Sequence, residues 1–229
     1  MGIFSKKKLA RSVSVSPPVE EYEALTLKEN RERVPPGQYL AKKWPVLSAE
    51  RTPKFNGTDW TVSVEGLVEN QLSWTWDEFK QLPRSDQTSD LHCVTTWSLL
   101  EQKFAGIKFS TILDLVKPLP EANYVTFEAL SGYTTALPLK EGYLLEDDVL
   151  LAFEHDGKPL HRDHGGPLRS LVPQIYLWKS TKWLTKMIFT AEWERGFWEV
   201  RGYHQNANPW TQERYSSQEK PKRRDHKIR

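Results

Sequence analysis

Val149-Leu150-Leu151-Ala152-Phe153-Glu154-His155 leads into Asp156-Gly157-Lys158-Pro159-Leu160. His164-Gly165-Gly166-Pro167-Leu168-Arg169, Val172-Pro173 and Lys179-Ser180-Thr181-Lys182-Trp183 follow. The first seven residues read as a strand: an apolar run too short for a globular helix, closed by an Asp-Gly turn. The glycine pair and its proline break regular structure, and residues 170–172 and 183–190 read as further short strands. A sheet interrupted by a glycine-rich basic turn is therefore expected here.

Working outward, residues 60–64, 124–130 and 134–139 also read as strands. Thr75-Trp76-Asp77-Glu78 fits a capping box opening a short helix that stops at Pro83, and Ser110 is expected to cap a second helix that runs through Val116 and ends at Pro118. Strands dominate, helices are short and no repeat is present. The expected fold is α+β: a β-rich domain of mixed sheets spanning residues 35–215. Residues 1–34, charged and without apolar periodicity, read as a flexible N-terminal arm, and residues 216–229 as a disordered basic tail.

The 229 residues carry 32 basic and 30 acidic side chains, a net charge of +2 that gives no reason to expect a nucleic-acid partner. No apolar run approaches the roughly 20 residues of a membrane-spanning helix, so no membrane insertion is expected. The N-terminus lacks a secretory h-region and a twin-arginine pair, and one cysteine fits a reducing compartment; the expected location is cytoplasmic.

That cysteine lies in Leu91-His92-Cys93-Val94-Thr95-Thr96-Trp97-Ser98. It cannot form an internal disulfide, so it is either an inert buried thiol or a thiolate with a task. Its neighbours are polar for a core cysteine. A soft thiolate suits a metal such as molybdenum. Structural zinc would need four clustered ligands, and the chain has no C-x-x-C or H-E-x-x-H. Downstream, the run from His164 to Arg169 supplies glycines for close backbone approach and a guanidinium able to grip phosphate, and Lys179 to Lys182 adds donors.

Cys93-Val94-Thr95-Thr96-Trp97-Ser98 followed by Gly106-Ile107-Lys108-Phe109, together with the ordered series from Val149 to Trp183, resembles the sulfite-oxidase-like family of molybdopterin-dependent oxidoreductases. The similarity spans about residues 34–215 and includes Gly196 to His204. It implies a molybdenum–molybdopterin cofactor with Cys93 as the metal ligand. It further implies cofactor contacts from His164, Arg169, Ser180, Thr181 and Lys182, with Trp44, Val46 and Leu47 flanking the pterin and Tyr133 facing the substrate side.

Sulfite oxidases place an arginine a few residues after the cysteine. Here Trp97-Ser98-Leu99-Leu100 occupies that stretch, and no basic residue follows before Lys103. A dianion needs cationic partners. The expected reaction is thus oxygen-atom transfer on a small sulfoxide, N-oxide or related oxyanion. Electrons would come from a cytoplasmic carrier, since the chain has no Fe–S, flavin or nicotinamide motif. Two alternatives stay open: a non-catalytic molybdopterin carrier, and a genuine sulfite oxidase.

Overall fold

The computed structural model describes residues 28–55 and 59–219. In chain order the strands are β1 (Tyr39–Leu40), β2 (Thr61–Gly66), β3 (Leu72–Thr75), β4 (Arg84–His92), β5 (Trp97–Lys108) and β6 (Tyr124–Ala129). They continue with β7 (Thr134–Pro138), β8 (Leu150–His155), β9 (Lys158–Pro159), β10 (Arg169–Leu171) and β11 (Leu184–Thr190). Two short helices, α1 (Trp76–Phe79) and α2 (Phe109–Val116), complete the regular structure together with several 3-10 turns.

One sheet has the order β1-β5-β8-β10, with β4 beside β5 and β9 beside β8; the other has the order β3-β2-β11-β6-β7. Both are mixed, because β1 runs parallel to β5 and β11 parallel to β2 while the other pairs are antiparallel. This is the expected α+β mixed-sheet class.

The run at β8 is apolar because both of its faces are covered. Leu151 and Phe153 point into the main core with Ile107, Val62, Val64, Phe127 and Met187. Leu150 and Ala152 point the other way, into a second core with Leu91, Cys93, Trp97, Phe104 and Leu171. The two-residue period of β8 thus turns Leu150 and Ala152 to the apolar layer that holds Cys93.

At Gly106 of β5 a Cβ would lie 2.1 Å from the Leu151 carbonyl oxygen and 2.8 Å from the Ala152 Cα of β8. Backbone on both sides cannot yield cheaply. Gly106→Ala is expected to cost about 2–3 kcal/mol through the forced strand shift, measurable as a lower urea midpoint with an unchanged slope.

The capping box forms: the Thr75 N–H donates to Glu78 Oε2 at 2.8 Å and the Glu78 N–H to Thr75 Oγ1 at 3.4 Å. Helix α2 departs from expectation. Its N-cap is Lys108 with no side-chain cap, so Ser110 lies inside the first turn; the helix ends at Lys117 in the left-handed conformation. The β4–β5 hairpin was not expected. β4 is an edge strand with alternating exposure whose sequence, Arg84-Ser85-Asp86-Gln87-Thr88-Ser89-Asp90, carries no apolar period.

The domain boundaries also shift outward. Val34 is buried, and Arg33 donates to both carboxylate oxygens of Asp90 at 2.7 and 2.9 Å. At the other end Ser216–Gln218 forms a 3-10 turn, and Glu219 accepts from Arg195 and from the Gln205 N–H, each at 2.8 Å. Residues 33–34 and 216–219 therefore belong to the packed body. The rest of the expected tail, and residues 1–27 of the arm, lie outside the described residues. No helix of the described chain is long and apolar enough to cross a membrane.

Candidate active site: the Cys93 pocket

β4 turns into β5 through residues 93–96. The Cys93 N–H donates to the Trp97 carbonyl at 2.9 Å, and the Thr96 N–H to the Cys93 carbonyl at 3.0 Å. So tight a turn forces Thr96 to φ 77°, an unfavourable conformation for a β-branched residue that persists only where the surroundings over-determine it. Gln38 does part of that: its Nε2 donates to the Cys93 carbonyl at 3.2 Å while its Oε1 accepts from Ser98 Oγ at 2.7 Å. Cys93 is 7% exposed, and its sulfur lies 3.2 Å from Thr95 Oγ1. Burial pushes the thiol above its usual range, opposed by the Thr95 hydrogen bonds and the Arg214 charge.

The sulfur opens on a cavity of about 290 Å³ whose lining is mostly apolar and aromatic. Arg169, at the start of β10, lines it and is 1% exposed. Its guanidinium donates to the carbonyls of His164 (2.9 Å), Ser180 (2.9 Å) and Ser170 (3.2 Å). Burial without a carboxylate lowers it to about 9. Lys182 donates to the carbonyls of Leu47 (2.7 Å) and Asp163 (2.6 Å), and burial together with Arg169 brings it to about 8. Neither cation has an ion-pair partner within 4 Å among the described residues.

Of the residues the sequence singled out, Trp44, Leu47, Cys93, Tyr133, Arg169, Ser180 and Lys182 line this one cavity. Three do not. Val46 points outward and is 54% exposed. His164 lies behind Trp44, stacked on it at 4.1 Å, and is lowered to about 4 by burial and by Arg169 and Lys182. Thr181 is buried, and its backbone N–H donates to Ser170 Oγ at 2.7 Å. Two side chains that do line the cavity are already engaged: Ser180 Oγ accepts the Val172 N–H at 3.0 Å, and the Tyr133 hydroxyl donates to the Trp178 carbonyl at 2.6 Å.

The glycine pair serves packing. A Cβ on Gly166 would lie 1.9 Å from the Leu160 carbonyl oxygen, and one on Gly165 would lie 3.0 Å from Lys182. Lys179 turns away from the cavity to Glu199.

The sequence reading gave no site role to Trp97, Trp178, Trp183, Trp198 and Tyr203, which also line the cavity, nor to Glu50, another lining residue. Tyr203 faces the cysteine side: burial raises its phenol, and Cys93 adds to the shift. Among the described residues no hydrogen bond fixes its hydroxyl. The stretch Gly196 to His204 was the available signal.

These residues suit a phosphorylated metal-pterin group. The buried cations lack anions, the buried indole N–H groups of Trp97 and Trp178 lack acceptors, and one soft thiol opens on the same space. An anion at Lys182 would relieve a cost the cofactor-free protein bears. Because the unfolded chain holds the Lys182 proton to higher pH than the folded one, stability should rise with pH above about 8. Lys182→Met should remove roughly 1 kcal/mol of that rise, allowing for partial exposure, in urea midpoints compared at pH 7 and pH 10.

Known proteins are similar to this chain. Residues 49–198 match the family model described as the oxidoreductase molybdopterin binding domain. The uncharacterized oxidoreductase YuiH of Bacillus subtilis is 40% identical over 80% of this chain and 92% of its own length. The catalytic subunit MsrP of the Campylobacter jejuni protein-methionine-sulfoxide reductase is 27% identical over 68% of this chain, and sulfite oxidase of Arabidopsis thaliana 27% over 63%. The chain spans only 59% and 45% of those two proteins. In fold it is similar to the sulfane dehydrogenase SoxCD of Paracoccus pantotrophus, with a TM-score of 0.56, 18% identity, and coverage of 82% of this chain and 56% of that one. A buried thiol beside unpaired cations, on this fold and with these relatives, makes the chain a member of the molybdopterin-binding oxidoreductase family, with molybdenum–molybdopterin as its cofactor.

Proposed function

We propose that the chain catalyses oxygen-atom transfer on a small uncharged oxide, such as a sulfoxide or N-oxide, at molybdenum held by Cys93. The observation that carries this reading is the cation inventory around the sulfur. Arg169, Lys182 and Arg214 all spend donors on backbone carbonyls, and residues 97–100 supply no charge. A sulfite dianion would meet few free partners beside the thiolate, whereas a neutral oxide needs little more than a hydrogen-bond donor.

Molybdenum–molybdopterin, when bound, supplies the two-electron metal change that such transfer requires. The chain contributes the setting. Cys93 would give a soft anionic ligand, Arg169 and Lys182 would hold the phosphate and polar edges of the pterin, and the unpartnered Trp97 and Trp178 indoles would donate to it. Trp198 and Tyr203, with ring centres 4.9 Å apart, also line the cavity; their rings exclude water, and the Tyr203 hydroxyl can hold the substrate oxygen or pass it a proton. The relative MsrP, named as a methionine-sulfoxide reductase subunit, supports a sulfoxide substrate. A cytoplasmic location and a cytoplasmic electron carrier belong to the same proposal.

The test uses protein purified from a host that makes the cofactor. Near-stoichiometric molybdenum and pterin, with reduced-dye oxidation dependent on a sulfoxide or N-oxide, is the expected result. Sulfite-dependent dye reduction in place of oxide turnover would make it a sulfite oxidase. Bound cofactor with no turnover of any of these would make it a carrier.

A further inference from the structure

We propose that Arg214 is a positioning residue for the metal-ligand turn, one that fixes the backbone next to Cys93. This rests on Cys93 being the molybdenum ligand.

The family match ends at residue 198, yet the chain does not leave the site there. It folds back as a strap over the cysteine turn. Tyr203 and Tyr215 form an antiparallel bridge, and the His204 N–H donates to the Arg214 carbonyl at 3.2 Å. Gln218 Oε1 accepts the N–H groups of Arg214 and Tyr215, each at 2.8 Å. With its backbone so held, Arg214 lays its guanidinium 5.3 Å from the Tyr176 ring centre and donates through Nη1 to the Val94 carbonyl.

Val94 directly follows the ligand. The carbonyls of Cys93 and Val94 are therefore clamped by Gln38 from the N-terminal side and by Arg214 from the C-terminal side. The turn between them carries Thr96 at φ 77°, a conformation that would relax if the clamps were absent. Among the described residues Arg214 has no ion-pair partner, so no carboxylate competes with the Val94 carbonyl for its guanidinium. Changing a group that orients a metal ligand commonly costs about 10–100-fold in metal affinity or activity. Here the orienting cation comes from the strap, outside the stretch that the family model covers.

The full chain is compared with Arg214→Met and Arg214→Lys. In cofactor-free protein, amide exchange at Cys93 and Thr96 should quicken about tenfold or more in Arg214→Met, as befits loss of a charge-assisted bond, while β6 and β11 keep their protection. In loaded protein the Mo(V) EPR g values should shift. Arg214→Lys, which keeps charge and donor, should return most of the protection and most of the spectrum. Wild-type exchange and spectrum in Arg214→Met would overturn the proposal. So would an equal rise in exchange across β11, which marks general loosening. Failure of the underlying reading is distinguishable: wild-type protein would then contain no molybdenum at all.

Discussion

Cys93→Ser is expected to abolish molybdenum-dependent turnover while leaving the fold in place. The sulfur is the one thiol in the chain, and it opens on the cavity that also holds Arg169 and Lys182. A serine hydroxyl is a hard, weakly acidic donor and a poor substitute for thiolate at molybdenum. Changes in groups that merely orient ligands already cost 10–100-fold in metal affinity or activity, so losing the ligand itself should lower turnover by more than about a hundredfold. The structural cost is small. Serine is nearly isosteric, Thr95 Oγ1 stands 3.2 Å from the sulfur to receive a hydrogen bond, and a buried hydroxyl so paired costs about 1 kcal/mol. Metal content, dye-coupled turnover and cofactor-free thermal melts check the three parts. A variant that keeps its molybdenum would remove Cys93 from the site, and one that fails to fold would make it a packing residue.

The parts of this molecule that were legible beforehand are those where local chemistry and final role coincide. β8 reads as an apolar strand because both of its faces meet apolar layers, and Thr75 to Glu78 reads as a capping box because two orphan N–H groups need those oxygens. Cys93, Arg169 and Lys182 stand out by side-chain type, and they line one cavity. The illegible parts are set by distant neighbours. β4 is a strand because β5 pairs with it, although its own residues are polar. Trp178 comes from the 177–179 turn and Trp198 and Tyr203 from the 196–204 stretch, with no period to announce that they converge. The glycine pair suggests close approach of a ligand, but its nearest neighbours are Leu160 and Lys182. Lys179 shows the same limit most clearly. In sequence it is one more donor beside Lys182, and in the fold it points the opposite way.

Lys179→Met is expected to be the most destabilising change in this region, and Lys179→Met/Glu199→Leu to recover most of the loss. Lys179 Nζ lies 2.6 Å from Glu199 Oε1, with both side chains at 0% exposure. Ala136 O accepts from Lys179 at 2.9 Å and Thr135 Oγ1 donates to Glu199 Oε1 at 3.1 Å, while Glu199 Oε2 has no partner. Burial pulls the Lys179 ammonium down and Glu199 pulls it back up, with burial the larger effect. Removing the lysine alone strands a carboxylate in apolar surroundings. Such a loss costs about 3–5 kcal/mol, roughly 10 °C in melting temperature for a chain of this size. Removing both charges strands nothing, and apolar replacements of similar volume are often neutral or better. Melting temperatures of the two single variants and the double variant decide the matter. A Lys179→Met loss under about 1 kcal/mol would mean that Glu199 takes up a proton or reaches water, and the pair would not be acting as a buried ion pair. The pair also has a consequence for the site. It ties the 177–179 turn, β7 and the 199–201 turn together, and these carry or adjoin Trp178, Tyr133 and Trp198 on the cavity wall. The double variant should therefore regain stability but hold less pterin than wild type. Stability and cofactor retention part company there because apolar side chains can fill the pair's volume but do not fix the register between the two turns.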